Sequence, residues 1–207
     1  MFFVRYDISS NRLFVVANDI VPRCITSQEI LDINTVSVGD KFGNIALLRL
    51  PKASDAGPVH GTGDRSVWNL TTLNESYQKL EIVCNYHVGE VVTGMTKASL
   101  VAGGSEALVY VTVTGRIGAF LPFTSRDDVE FFQDLEAHLR TDAPRLTGNE
   151  PQNYRSYYSP VKHVVDGDLC DSFGNIEFKD QKKIAEKLER SIGEIMKKLE
   201  DTRNSLL

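Results

Sequence analysis

Two aspartates separated by one glycine, Asp166-Gly167-Asp168, are the residues best spaced for chemistry in this chain. Paired carboxylates can divide acid and base duties or hold a divalent cation. Followed by Leu169 and Cys170, the same triplet also suits a turn entering a helix, where an aspartate accepts from first-turn backbone amides. A hydrolytic reading needs a cleft and a further partner, and none stands beside the pair, so the capping reading is preferred. His60, His87, His138 and His163 are scattered, with no HExxH run and no pair four apart; each is expected as a satisfied imidazole rather than a metal ligand. There is no GxSxG. Gly103-Gly104-Ser105-Glu106 sits between strand-like runs without a following helix and lysine, which argues against a nucleophile elbow or a phosphate-cradling loop. The chain is therefore expected not to be an enzyme and to have no catalytic residues, no cofactor and no metal site.

Residues 154–163 interleave rings with cations: Tyr154-Arg155-Ser156-Tyr157-Tyr158, then Lys162-His163 after Pro160. Rings and arginines can stack the bases of a single strand, and they are also the favoured anchors of protein interfaces. With 23 Lys and Arg against 28 Asp and Glu, the net charge of −5 denies the chain a wide positive field, so protein contact is preferred over direct RNA binding. Arg155, Tyr157, Tyr158 and Lys162, together with Asp166 and Asp168, are the residues expected to touch a partner. The Lys182-Lys183 and Lys197-Lys198 pairs lie among nearly as many carboxylates and read as a solvated helical face.

The elements that must position these residues change character once along the chain. Apolar residues come first in strand-length bursts at 2–8, 12–17, 30–38, 44–50, 79–88, 91–101, 107–113 and 117–121, separated by turn formers such as Asp40-Lys41-Phe42-Gly43-Asn44 and Thr114-Gly115-Arg116. Eight short strands joined by hairpins suit a sandwich, a barrel or two propeller blades of four, and periodicity does not choose among them. Residues 51–66 read as a surface excursion. Residues 124–140 switch to helical spacing, with Thr124 and Asp127 as a capping pair and Phe131, Phe132, Leu135 and Leu139 on one face expected to lie on the sheets. A second loop runs from Asp142 to Asn153, and helical signals then continue to the end. There Ser191 and Glu194 form a capping box, and Ile192, Ile195, Met196 and Leu199 form a stripe.

A chain of 207 residues, 42% hydrophobic and 25% charged, is long enough for a sizeable core without a staple. Cys24, Cys84 and Cys170 contain no CxxC and are odd in number, which argues against a disulfide framework and for a reducing compartment. No 18 apolar residues run together, so no membrane helix is expected and the chain reads as soluble and intracellular.

Several ordered blocks carry a family resemblance. They are Asn85-Tyr86-His87-Val88-Gly89-Glu90, Gly103-Gly104-Ser105-Glu106, Pro122-Phe123-Thr124-Ser125 with Phe131-Phe132 and His138-Leu139-Arg140, Arg155-Ser156-Tyr157-Tyr158, Pro160-Val161-Lys162, and Asp166-Gly167-Asp168-Leu169-Cys170. Together they resemble the family of the cleavage and polyadenylation specificity factor A subunit and the damaged-DNA-binding adaptor of a cullin ubiquitin ligase. The Gly-Gly-Ser-Glu, Pro-Phe-Thr-Ser and Tyr-Tyr-Ser-Pro-Val-Lys runs point to its splicing branch, the C-terminal part of the large triple-propeller subunit of splicing factor 3b. The resemblance implies a mainly β fold with C-terminal α. Residues 1–122 would form the last blades of a β-propeller, about two antiparallel four-stranded sheets, and residues 123–207 a small helical domain. It further implies a nuclear, non-catalytic scaffold in pre-mRNA splicing and branch-site recognition. The partners would be other splicing factor 3b subunits, both a helical-repeat scaffold and small subunits, with RNA reached indirectly. The alternatives are direct RNA binding, a cullin-ligase adaptor, or a subunit of mRNA 3′-end processing. Two blades cannot close a ring, so the remainder of the propeller is expected from chain not included here, or the sequence is truncated; expressed alone, it should self-associate.

Overall fold

Short β-branched and aromatic runs between turn formers give ten strands in the computed structural model, which describes residues 1–51, 78–99, 104–142 and 160–204. They are β1 (Phe2–Asp7), β2 (Arg12–Asn18), β3 (Ile25–Ile30), β4 (Thr35–Asp40), β5 (Asn44–Arg49), β6 (Gln78–Lys79), β7 (Glu81–His87), β8 (Val92–Ser99), β9 (Glu106–Thr112) and β10 (Ile117–Phe120). Three sheets result, with orders β1-β2-β6, β3-β4-β5-β7 and β10-β9-β8. All pairings are antiparallel except the two-residue β2–β6 contact.

Period-two alternation explains how the sheets stack. Val36 and Val38 of β4, with Ala46 and Leu48 of β5, face Ala17 of β2 and Leu80. Ile45, on the opposite face of β5, joins Val88, Val92 and Tyr110 on the side of the third sheet. Every residue of β4 is buried, because the middle sheet is covered on both faces. Small antiparallel sheets stacked face to face, followed by helices, are the blade architecture the sequence led us to expect.

The strand count differs from the sequence reading. Eight bursts become ten strands among the described residues, and the sheets hold three, four and three strands rather than four and four. The expected strand at 30–38 is interrupted: Asp32 Oδ1 accepts the Asn34 amide (2.7 Å) and the Leu31 amide donates to the Thr35 carbonyl (3.0 Å), closing a turn between β3 and β4. Strand β3, Ile-Thr-Ser-Gln-Glu-Ile, has too few apolar residues to announce itself. The hairpin at Gly43 is as expected. Its φ of 81° suits glycine, and a Cβ there would stand 2.6 Å from the Glu90 amide nitrogen, so the β4–β5 and β7–β8 turns meet backbone to backbone.

The helices are α1 (Arg126–Asp142), α2 (Gly167–Asp171) running into a 3-10 turn (Ser172–Asn175), α3 (Phe178–Lys187) and α4 (Ile192–Asn204). Phe131, Phe132, Leu135 and Leu139 share the buried face of α1 as their spacing predicts. That face packs on Leu169, Cys170, Phe173, Ile184, Ala185, Ile195 and Leu199, which corrects the expectation that it lies on the sheets. The other helical segments carry matching apolar stripes, whereas the middle sheet has already spent both faces on its neighbours. The capping box is present in both directions, with the Ser191 amide donating to Glu194 Oε2 (2.8 Å) and the Glu194 amide donating to Ser191 Oγ (3.3 Å). Helix α1 begins at Arg126, two residues after Thr124. The expected surface excursion at 51–66, apart from Pro51, lies outside the described residues, as does the second loop beyond Asp142.

Candidate interaction surfaces

Asp166 is the N-cap of α2, its Oδ1 accepting the Leu169 amide at 3.1 Å. The carboxylate with a possible chemical role is thus spent on capping, as the spacing suggested. Asp168 points into solvent and meets Arg116 across 3.4 Å, linking the β9–β10 hairpin to α2. The hairpin is braced from its other side. Thr112 Oγ1 donates to Glu90 Oε2 (2.6 Å), Thr114 donates to the same oxygen, and the Arg116 amide donates to Thr112 Oγ1 (3.2 Å). Those threonine hydroxyls, Thr112 foremost, hold the Glu90 carboxyl below its usual pKa, with Arg116 adding to the effect. Glu90, Thr112, Thr114, Arg116 and Asp168 therefore form one polar chain from the third sheet to the helices; nothing in their sequence spacing signals it.

Lys162 lies beside β7. Its backbone makes an antiparallel bridge with Asn85, and its Nζ donates to the Ile82 carbonyl (2.7 Å). The Asn85 side-chain amide donates to the Pro160 carbonyl (2.8 Å), and His163 Nδ1 donates to the Val83 carbonyl (3.0 Å). Of the six residues expected to touch a partner, the structure thus places Lys162 on its own chain and brings Asp168 to Arg116. Arg155, Tyr157 and Tyr158, with His60 and Gly103, lie outside the described residues.

The remaining histidines serve structure. His87 is buried, and because the Asn44 Oδ1 beside it (2.8 Å) can only accept, the proton sits on His87 Nδ1. Asn44 in turn donates to buried Asp40, whose Oδ1 also takes the Phe42 and Asn44 amides (both 2.9 Å), fixing the β4–β5 turn. His138 lies 3.8 Å from Asp142, which also receives Lys183 and Lys187 at 2.7 Å each and ties the end of α1 to α3. The lysine hydrogen bonds, Lys183 first, pull the Asp142 pKa down to about 2. Burial pushes the Cys84 and Cys170 thiols upward, away from the reactive thiolate form. Among the described residues no three metal-ligating side chains come together, and no helix is long and apolar enough to cross a membrane.

An apolar strand face among the described residues also lies open. Phe2, Val4 and Tyr6 stand on one face of β1, and register places Leu13 of β2 opposite Tyr6. Their exposures are 53%, 52%, 55% and 70%, where a strand face of this composition is ordinarily covered. Among the described residues the outer side of β1 is also a sheet edge. Sequence reasoning gave the strand but not its bare face, since Phe3 on the opposite side is equally apolar and the alternation is blurred.

The amino-acid sequence is similar to those of known proteins. Residues 1–175 match the family model described as the CPSF A subunit region. The chain is 46% identical over 204 residues to splicing factor 3B subunit 3 of Drosophila melanogaster, covering 98% of this chain and 17% of that protein. It is 44% identical over 206 residues to spliceosome-associated protein 130 A of Arabidopsis thaliana, with 99% and 17% covered. It is 40% identical over 205 residues to pre-mRNA-splicing factor RSE1 of Mycosarcoma maydis, with 97% and 16% covered. The chain thus spans about a sixth of the length of the curated relatives it matches.

Proposed function

The chain belongs to the CPSF A subunit family, and from that premise we propose that it is a non-catalytic scaffold portion of a nuclear pre-mRNA splicing assembly of the splicing factor 3b kind. The observation that carries the reading is the bare apolar face of Phe2, Val4, Tyr6 and Leu13 beside a strand edge that pairs with no other strand among the described residues, which calls for more β-structure to be laid against it. Further propeller blades of a larger protein are that cover. Residues 1–122 then act as the β unit and residues 123–207 as the helical unit. Other splicing factor 3b subunits, a helical-repeat scaffold and small subunits, are met through Arg155, Tyr157, Tyr158, Lys162, Asp166 and Asp168, and RNA is reached through those proteins. The use of Asp166 as a helix cap supports the non-catalytic reading.

A tagged chain incubated in nuclear extract tests this. Recovery of splicing factor 3b subunits, resistant to nuclease, is the expected result. Recovery of cullin-ligase or 3′-end-processing components would reassign the branch, and recovery of RNA that survives removal of protein partners would replace protein contact with direct binding.

A further inference from the structure

We propose that the cleft between α1 and the α3–α4 turn is a second contact surface, one that takes arginine side chains from a basic segment of a partner protein. The cleft has a volume of about 370 Å³, which falls within the range of ligand-holding clefts. Its α1 wall carries Asp127, Glu130 and Asp134, which at positions i, i+3 and i+7 share one flank of the helix. The facing wall is built by the end of α3 and the turn into α4, with Lys187, Glu189 and Arg190.

Four carboxylates stand against two cations in this lining, and both cations are already engaged. Lys187 donates to Asp142 (2.7 Å), and the Arg190 guanidinium lies 5.1 Å from the centre of the buried Phe131 ring. Glu130 meets Arg126 at 3.1 Å, whereas Asp127, Asp134 and Glu189 meet no cation among the described residues. The chain itself shows what this surface attracts. Lys198 Nζ lies 4.9 Å from the centre of the same Phe131 ring and 2.5 Å from Asp128, so ring and carboxylates together already hold two cations. Arginine suits the remaining carboxylates better than lysine, because its planar fork bonds a carboxylate through two N–H groups and is more weakly hydrated. Other ligand classes fit less well. No three metal-ligating side chains converge among the described residues, the excess of carboxylates repels nucleic acid, and Phe131 and Leu188 are too little apolar lining for a greasy ligand.

The full chain is titrated by anisotropy with a short labelled peptide of alternating arginine and alanine, and with its lysine counterpart. Asp127→Asn/Asp134→Asn removes the two unpaired carboxylates of α1, and Glu200→Gln/Asp201→Asn makes the same change of charge at exposed positions of α4 outside the cleft. The arginine peptide should bind the parent more tightly than the lysine peptide does. Asp127→Asn/Asp134→Asn should weaken that binding roughly two- to thirtyfold, the factor for two exposed ion pairs, and the α4 variant should bind as the parent does. No binding to the parent, no weakening by the α1 variant, the same weakening by both variants, or equal affinity for the two peptides overturns the proposal. Asp127 also lies in the first turn of α1, where its charge favours the helix. If the α1 variant loses helix by circular dichroism, Glu189→Gln on the facing wall decides: weaker arginine binding supports the cleft, and unchanged binding refutes it. No splicing protein enters this test, so its outcome is independent of the splicing role.

Discussion

Replacing Val4 and Tyr6 by lysine tests whether the bare face of the first sheet drives association. Full burial of a large apolar side chain is worth about 1.5–3 kcal/mol. Roughly half of Phe2, Val4 and Tyr6, and more of Leu13, remains exposed, so covering all four would gain about 3–6 kcal/mol before the cost of association. Removing two of the four gives up roughly half of that, which is about a ten- to a hundredfold loss of affinity at 1.4 kcal/mol per tenfold. Both side chains already reach solvent, so Val4→Lys/Tyr6→Lys should fold as the parent does. Sedimentation velocity over a micromolar concentration series is the assay. The parent chain should show concentration-dependent self-association, and the double variant should shift that transition to at least tenfold higher concentration. A parent chain that stays monomeric and melts in one sharp transition, or a variant that associates as strongly, would refute the reasoning.

Other outcomes follow from local geometry. Asp142 is held ionised by Lys183 and Lys187, with a folded pKa of about 2 against 3.8 unperturbed, so its contribution is complete above about pH 4 and is lost as pH falls toward 2. Thermal melts between those limits should therefore decline more steeply for the parent than for Asp142→Asn, and parallel curves would contradict the assignment. Ser191→Ala removes a capping-box acceptor and should cost about 0.5–2 kcal/mol in chemical denaturation monitored at the helices. Gly118→Val would drive a Cβ to 2.3 Å from the Tyr110 ring across the β9–β10 pair, an overpacking expected to cost about 1–3 kcal/mol and to raise exchange in β10. Unchanged exchange there would show that the ring moves aside freely.

How much of this was legible in the sequence depended on whether the cause was local. The α1 face and the Ser191–Glu194 box were readable because helical period and capping chemistry act within a few residues. The Asp166 cap was readable for the same reason. Strand β3 was missed because Thr26, Ser27, Gln28 and Glu29 break the apolar run, and its order comes from pairing with β4 and from Thr26 Oγ1 reaching the Val92 carbonyl at 2.5 Å. The docking of α1 on helices rather than sheets was also invisible, since it depends on which faces the sheets had already consumed. Lys162 is expected from the sequence as a partner contact, and its bonds within the chain are not legible there. Its partners, Ile82 and Asn85, lie some eighty residues away, and only folding brings them together. The polar chain from Glu90 to Asp168 was hidden for the same reason.

The claim that this chain is an incomplete wheel whose work is joining is tested most directly by giving it the rest. The chain is co-expressed with the portion of the Drosophila relative that it does not match, and amide exchange of residues 2–7 is read with and without that portion. The account predicts a one-to-one complex in which β1 becomes strongly protected while α1 and α4 are unaltered. A chain that purifies alone, with exchange in β1 unchanged, would contradict it.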